Sequence, residues 1–338
     1  MDSNALRGGV RCRSTLTRRR PARSANGPPR RNGPYLGRRR RDTFSPGRAC
    51  CRPALGAGVV LIWVEPCAGS FAVGFSLLGL RAPCGWQGGK TRYAVSIVGG
   101  LGLVGVRPEA IALSDLLWAD CLMELCRPGG ASRVRKVLAR WLSETPDTPR
   151  GHRALWFRLR DLPQTPGPIG AARWLALVAG SAFSGGGSIR RDVETWEDSA
   201  ARNRTISKRM LAALEAFPPE GLPLALARHR AEDLTPEALE AAVPGALSGV
   251  HGPVWAYIDP PYQNTAPYAG VPREAALSRA GVLALVERWR SAGASVAVSE
   301  GCAIPGATRA FEVLPKGLGQ TARGSTKQEW VSVFEQAP

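Results

Sequence analysis

The sequence lacks the residue spacings on which most metal sites and disulfide frameworks depend. Its eight cysteines contain no Cys-x-x-Cys pair, and only three histidines accompany them. Because zinc sites need about four such ligands at short spacings, we expect no bound metal. We interpret the cysteines as reduced, mostly buried thiols of a cytoplasmic protein.

Long apolar runs are also missing. No stretch of about 18 uninterrupted apolar residues occurs, so we expect neither a membrane-spanning helix nor a membrane partner. With 338 residues, of which 44% are hydrophobic, the chain is long enough for one large domain or for a core domain that carries an inserted one. The oligomeric state does not follow from the composition, and we favour a monomer.

The first 48 residues contain no lysine and almost no acids. They contain fourteen arginines and only two acids, Asp2 and Asp42, which gives a net charge of +12 (14 − 2) out of the chain's +18. Because the segment is otherwise rich in Gly, Pro and Ser, residues 1–55 are predicted to be a disordered basic tail. The tail is either an arm that grips phosphates without reading sequence or the result of a start codon assigned too far upstream. A targeting signal is less favoured, because the apolar centre of a secretory signal is absent.

From Val59 onward, apolar strands alternate with helical segments, which predicts an α/β fold around a parallel sheet. Helices are predicted at 71–78, after residue 115, at 236–242 and at 273–291. Strands are predicted at 59–64, 110–113, 222–227, 254–258 and 295–299, followed by an antiparallel pair at 311–314 and 329–334.

The alternation stops between residues 135 and 215. This stretch is basic and contains tryptophan and a run of three glycines. So long a departure inside a sheet domain predicts an inserted subdomain, mostly helix and loop. Segments 56–134 and 216–338 are then the two parts of the core.

The first predicted strand runs into Glu65-Pro66-Cys67-Ala68-Gly69-Ser70. Gly69 allows close backbone approach, and a helix that begins near Ser70 offers N–H groups to an anion. The turn lacks the three-glycine spacing of a dinucleotide fingerprint, which disfavours a nucleotide-dependent oxidoreductase.

Acids follow the second and third predicted strands. Asp115 stands where an acid can hold the hydroxyl groups of a ribose, and it can equally cap the next helix. Asp233 can accept a hydrogen bond from an adenine amino group, or it can cap the helix predicted at 236–242.

The fourth predicted strand delivers Asp259-Pro260-Pro261-Tyr262 to the rim of the sheet. The two prolines stiffen this turn, because each has a fixed φ and no N–H group. The Asp259 carboxylate and the Pro260 carbonyl become two fixed acceptors beside the Tyr262 ring. Such a set can hold a planar base by its exocyclic amino group.

Together, these motifs resemble the Dam-type DNA adenine-N6 methyltransferases, which use S-adenosyl-L-methionine. The resemblance covers roughly residues 59–334, although the insert matches only by position. It implies a class I methyltransferase sheet of the Rossmann-like kind. It also implies methyl transfer to N6 of an adenine flipped out of double-stranded DNA, with Asp259, Pro260, Pro261 and Tyr262 around that base.

The same resemblance assigns the other site residues. Glu65, Pro66, Ala68, Gly69 and Ser70 would surround the methionine part of the cofactor, Asp115 its ribose and Asp233 its adenine. Lys90, in Gly88-Gly89-Lys90, resembles the family's Gly-Gly-Lys segment, which would contact both cofactor and substrate. In the family that segment precedes the first strand, whereas here it follows it, so its loop must return to the same pocket by another connection.

DNA contacts are expected from arginines of the insert, among them Arg150, Arg153, Arg158, Arg160, Arg190 and Arg191. The alternative for these residues is a solvated basic face. Other acceptors stay open, namely RNA, cytosine N4 or a glutamine amide, as does a non-catalytic DNA-binding relic of such an enzyme.

Overall fold

A seven-stranded mixed sheet forms the centre of the protein. The computed structural model describes residues 60–84, 90–180, 205–260, 277–313 and 329–336. Their strands lie in the order β3-β2-β1-β4-β5-β7-β6, and β7 runs antiparallel to both of its neighbours while β1 to β5 are parallel. The strands are β1 Val60–Pro66, β2 Arg107–Ser114, β3 Leu224–Arg228, β4 Val254–Ile258, β5 Ser295–Glu300, β6 Arg309–Glu312 and β7 Trp330–Phe334.

The central strands are apolar on both faces, because helices cover the sheet from both sides. Alternate residues of β1 belong to different cores: Leu61 and Trp63 pack on one face, Ile62 and Val64 on the other. The first face packs against α1 and α2, and the second against α8 and α9. The helices are α1 Ala72–Leu77, α2 Ala94–Leu101, α3 Ala119–Cys126, α4 Gly130–Ser143, α5 Pro149–Asp161, α6 Gly167–Gly180, α7 Lys208–Glu215, α8 Pro236–Ala242 and α9 Arg279–Ser291.

The long connection from β2 to β3 carries helices α3 to α7. Helix α6 is the central one, because α3, α4 and α5 all pack against it, while α7 packs against α4. Buried apolar side chains of these helices, such as Val134, Leu138 and Leu175, continue the core of the first sheet face. The helices are therefore packed onto the sheet side that also carries α1 and α2.

The strand predictions are confirmed. Each of the seven predicted strands overlaps an observed one, and β4 has the predicted bounds. The final pair, β6 and β7, is antiparallel as expected. The α/β fold with a mostly parallel sheet thus follows from the apolar patterning of the sequence.

One helix begins later than predicted. The pattern predicted a helix from residue 273, whereas α9 begins at Arg279, and the part of that prediction before Leu277 lies outside the described residues. Ser278 is the N-cap, and its hydroxyl accepts a hydrogen bond from the Gly281 N–H group. This cap satisfies one of the free donors of the first turn and marks the helix start.

Among the described residues, none of the helices combines the length and the apolar character needed to cross a membrane. The segment predicted as a disordered tail, 1–55, lies outside the described residues, and so does the loop between β6 and β7.

Candidate active site

The strand order places a crevice between β1 and β4. From β1 the sheet grows through β2 to β3 on one side, and from β4 through β5 on the other. The connection after β1 packs on the first face, whereas α9, which joins β4 to β5, packs on the second. At such a switch point the loops after the two strands diverge, and ligands of open α/β sheets bind there. The turn Glu65–Ser70 after β1 and the described part of the second motif, Asp259 and Pro260 after β4, lie at this point.

The turn from β1 to α1 has an unusual backbone. Cys67, Gly69 and Phe71 all have positive φ, at 63°, 51° and 53°. The left-handed region is uncommon for cysteine and phenylalanine, and strained residues concentrate at binding sites. The Ala68 N–H group donates to the Ser114 carbonyl at 2.8 Å, which ties the turn to the end of β2.

Buried contacts fix this turn from below. The ring of Phe71 is fully buried and lies against Gly74, where a Cβ atom would overlap it. Oε2 of Glu65 accepts hydrogen bonds from Trp63 Nε1 at 2.9 Å and from the Gly74 N–H group at 3.2 Å. Helix α1 has only six residues, and one of its first N–H groups is thus used by Glu65. An internal carboxyl group thus occupies the Gly74 N–H group, so the sequence-based expectation that the helix offers its N–H groups to a ligand is wrong for Gly74.

Asp115 connects the ends of β1 and β2. Its Oδ2 accepts from the Gly69 N–H group at 2.9 Å, and its Oδ1 accepts from the N–H groups of Leu117 and Trp118. Asp115 therefore caps the turn that leads into α3 and also holds the glycine of the first turn. The helix N-cap that the sequence offered as an alternative is wrong, because the N-cap of α3 is Trp118 and Asp115 caps only the turn before it; the ribose contact stays a prediction.

Two buried hydroxyl groups at the same strand ends have no hydrogen-bond partner within the described parts of the chain. They are Ser70 Oγ, in the β1 turn, and Ser114 Oγ, at the end of β2. Burying a hydroxyl group without a partner costs roughly 1–3 kcal/mol. Unpartnered polar atoms at a strand end are therefore candidates for contact with a bound polar ligand.

Lys90 lies at the centre of a buried ion cluster. Its Nζ is 2.8 Å from Oδ1 of Asp259 and 3.1 Å from Oε1 of Glu329. The side chains of Lys90, Asp259 and Glu329 are only 4%, 15% and 6% exposed, respectively. Lys90 begins a 3₁₀ turn, Lys90–Arg92, between α1 and α2. Although Lys90 follows β1 in the chain, its side chain lies at the end of β4, beside Asp259.

Burial and ion pairing act in opposite directions on the pKa values of this cluster. Burial raises the pKa of Asp259 to about 6, although the ion pair with Lys90 acts in the opposite direction, and repulsion from Glu329 and Glu300 adds to the rise. Burial lowers the pKa of Lys90, but attraction to Asp259 and Glu329 outweighs it, and the net pKa lies above the usual value. At neutral pH the ammonium is thus charged and Asp259 is mostly ionised.

The surrounding carboxyl groups give the crevice an excess of acid. Burial raises the pKa of Glu65 well above its ordinary value, with added repulsion from Asp259 and Asp115. Burial and then the charges of nearby carboxylates raise the pKa of the Cys67 thiol. Cys67 is therefore a neutral thiol at physiological pH and a poor nucleophile.

Of the remaining residues predicted for the site, some are buried, one is exposed, and the others lie outside the described residues. Pro66, Ala68 and Pro260 are buried at the strand ends. Asp233 is exposed in a 3₁₀ turn after β3, and Thr235 caps α8 by accepting from the Ala238 N–H group, so the capping role considered for Asp233 is wrong. Pro261, Tyr262, Gly88, Gly89, Arg190 and Arg191 lie outside the described residues.

Glu329 is the site residue that the sequence did not reveal. It stands one residue before β7, and its carbonyl accepts a hydrogen bond from the Val313 N–H group at 2.7 Å. Because β7 is antiparallel to β5, its beginning lies at the carboxyl end of the parallel strands. The signal in the sequence is an acid immediately before an apolar strand. This signal can be interpreted only when the strand order is known.

No protein-family model matches the chain, and a search of curated proteins finds no match either.

Proposed function

We propose that the protein is a methyltransferase that moves a methyl group from S-adenosyl-L-methionine to N6 of an adenine flipped out of DNA. The observation that carries this proposal is the contact of Lys90 with Asp259 at the crevice between β1 and β4. A glycine-containing turn, a lysine and an Asp-Pro turn from three separate parts of the chain meet at one sheet edge. This convergence is what the resemblance to Dam-type enzymes requires.

The sheet supports the same family. Its order, β3-β2-β1-β4-β5-β7-β6 with an antiparallel β7, is compatible with the Rossmann-like sheet that the resemblance implies. Sheet order alone assigns no activity, because one fold hosts many functions. The proposal therefore depends on the side chains at the strand ends.

The residues at the ends of β1 and β2 fit a polar, positively charged cofactor. When bound, S-adenosylmethionine supplies an activated methyl group on a sulfonium cation. The acidic surroundings of Cys67 suit a cation, because carboxyl groups from four separate parts of the chain act on this position: Asp115, Asp259, Glu232 and Glu65. The unpartnered hydroxyl groups of Ser70 and Ser114 can satisfy their hydrogen bonds with such a ligand.

Asp259 is suited to hold an amino group. Lys90 contacts its Oδ1, and we assign Oδ2 and the Pro260 carbonyl to the two N–H groups of the base. Acceptors fixed before the reaction stabilise the positive charge that grows on nitrogen during methyl transfer, and water would have to reorient to do so. With a pKa of about 6, Asp259 can also receive the proton that the methylated amine loses near neutral pH.

The helices between β2 and β3 supply basic groups for a nucleic acid. Helix α5 exposes Arg150 and Arg158 two turns apart on one side, with Arg160 near its end. Arginine side chains of this kind neutralise phosphates and position a duplex without reading its sequence. They support DNA as a partner of the same chain.

Cofactor binding is the experiment that tests this proposal first. S-adenosylmethionine should bind the purified protein in calorimetry, its demethylated product should compete, and NADH should not. Gly69→Val should abolish binding, because a β-branched residue is strongly disfavoured at the φ of 51° that this turn requires. The matched control is Gly79→Val, at φ 72° and with open space around it, which carries similar backbone strain away from β2.

Retained binding in the control together with lost binding in Gly69→Val supports the turn as the cofactor site. A wild-type protein that does not bind S-adenosylmethionine contradicts the proposed function.

A further inference from the structure

The backbone at Glu329 is held by both neighbouring strands. Its carbonyl accepts from Val313, and the next residue, Trp330, is paired with Glu300 of β5 and with Glu312 of β6. The carboxyl group itself is buried. A charged group on a rigid strand end, out of water, is placed accurately enough to orient a neighbour.

The contact geometry shows which neighbour Glu329 orients. The Lys90 ammonium contacts Oε1 of Glu329 at 3.1 Å and Oδ1 of Asp259 at 2.8 Å, so two carboxylates share one cation. A single surface carboxylate would bring little energy to a lysine, but these three groups are nearly enclosed by protein. Lys90 is therefore held between its partners and not drawn entirely onto Asp259.

We propose that Glu329 is a positioning residue for the amino-group site. Its contact holds the Lys90 ammonium between two carboxylates, so that Lys90 fixes only one oxygen of Asp259. The other oxygen stays an ionised acceptor for the substrate. This inference rests on the proposed function for its catalytic consequence. The electrostatic coupling between Glu329 and Asp259 does not depend on any substrate.

The physical reason lies in the count of charges. Without Glu329, one lysine faces one aspartate, and the ammonium can contact both oxygens of Asp259 more fully. The remaining oxygen then has a lower affinity for a proton and is a weaker acceptor for an amino group. With Glu329 present, the cluster of three groups keeps a net negative charge, and Asp259 keeps a higher proton affinity.

Other groups also act on Asp259, and each belongs to a different element. Glu300 of β5 raises its pKa, as Glu329 does, while the charge of Asp259 acts in turn on Glu65, Cys67 and Tyr257. Arg279 of α9 contacts Glu300 at 3.6 Å. A Glu329 variant keeps all of these side chains, but the charge of Glu329 no longer acts on Asp259, Lys90 or Glu300, so a change in the titration of Asp259 reports the loss of Glu329.

The test compares Glu329→Gln with Glu312→Gln, which changes an exposed glutamate immediately before Val313, at the end of the paired strand β6. The titration midpoint of Asp259 is measured by carboxyl-carbon NMR in the ligand-free protein, with Asp259→Asn used to assign the signal. Glu329→Gln should lower this midpoint below that of the wild type, and Glu312→Gln should not change it. In methyl-transfer assays kcat should fall about 10–100-fold in Glu329→Gln, with a smaller change in the KM for DNA.

Glu329→Asp separates charge from reach. This variant keeps the negative charge but withdraws the carboxylate by one methylene. Its Asp259 midpoint should therefore lie closer to the wild-type midpoint than the midpoint of Glu329→Gln does. An unchanged or raised midpoint in Glu329→Gln overturns the inference. If the wild type is inactive but Glu329→Gln lowers the Asp259 midpoint, the result contradicts the proposed function and establishes the electrostatic coupling between Glu329 and Asp259.

Discussion

Replacing Asp259 with alanine is expected to reduce methyl transfer by about 10²–10³-fold or more, with little loss of affinity for S-adenosylmethionine. The carboxylate is the acceptor that we assign to the substrate amino group, and it lies across the crevice from the β1 turn that we assign to the cofactor. Removing it takes away an interaction that strengthens as charge develops on nitrogen. Such a loss appears in kcat more than in cofactor binding.

Asp259→Asn refines this prediction. The amide keeps an oxygen acceptor of similar shape but loses the charge, so its activity should lie between those of wild type and Asp259→Ala. Asp120→Ala, which removes a half-exposed aspartate of α3, is the matched control and should retain full activity. Single-turnover transfer from labelled cofactor and calorimetry together separate chemistry from binding. Full activity in Asp259→Ala would exclude Asp259 from the reaction.

The second large effect is expected from Lys90→Met. The variant leaves Asp259 and Glu329 buried without their cation, and breaking a buried ion cluster in this way costs about 3–5 kcal/mol of the free energy of unfolding. The exposed Lys136 of α4 supplies the control, since Lys136→Met should change that free energy by about 0.5 kcal/mol or less. Urea denaturation of the two variants measures the difference.

The cost of Lys90→Met should depend on pH. Lys90 lowers the pKa of Asp259, so its removal raises that pKa further above the unfolded value. A carboxyl group with a raised native pKa binds protons that the unfolded chain has already released, and stability is lost as pH rises through the native pKa. The variant should therefore be closer to wild type at about pH 5 than at about pH 8.

Neutralising the whole cluster provides a sharper control. Lys90→Met combined with Asp259→Asn and Glu329→Gln removes all three charges and should recover much of the lost stability. The triple variant should stay inactive, because both the acceptor charge and its orienting cation are gone. Equal destabilisation of the single and triple variants would show that shape, and not charge, sets the cost.

The sheet could be predicted from sequence because its signal is local. Buried parallel strands such as Val254–Ile258 are short apolar runs bounded by polar residues, and each can be recognised without its neighbours. Helix bounds are harder to predict, because a capping residue such as Ser278 can start the helix inside a longer amphipathic pattern.

The site could be predicted only in part, because its contacts join residues distant in sequence. Asp259 was singled out by its strand and its prolines, but Glu329 joins it only through the position of β7 beside β5. Lys90 was assigned by resemblance to a motif, and its contact with Asp259 depends on how the chain returns after α1. For Asp115 the sequence leaves two roles open, since the same acid can hold a ribose or cap a helix, and the structure shows it capping the turn before α3.

The fate of a labelled methyl group tests the central claim most directly. The protein is incubated with methyl-labelled S-adenosylmethionine and, separately, with DNA, RNA and protein substrates; the nucleic acids are then digested to nucleosides and the protein to amino acids. We expect label in N6-methyl-2′-deoxyadenosine from DNA with the wild type, and background levels with Asp259→Ala. Label found only in RNA or protein, or equal label in DNA with the wild type and with Asp259→Ala, would contradict the account.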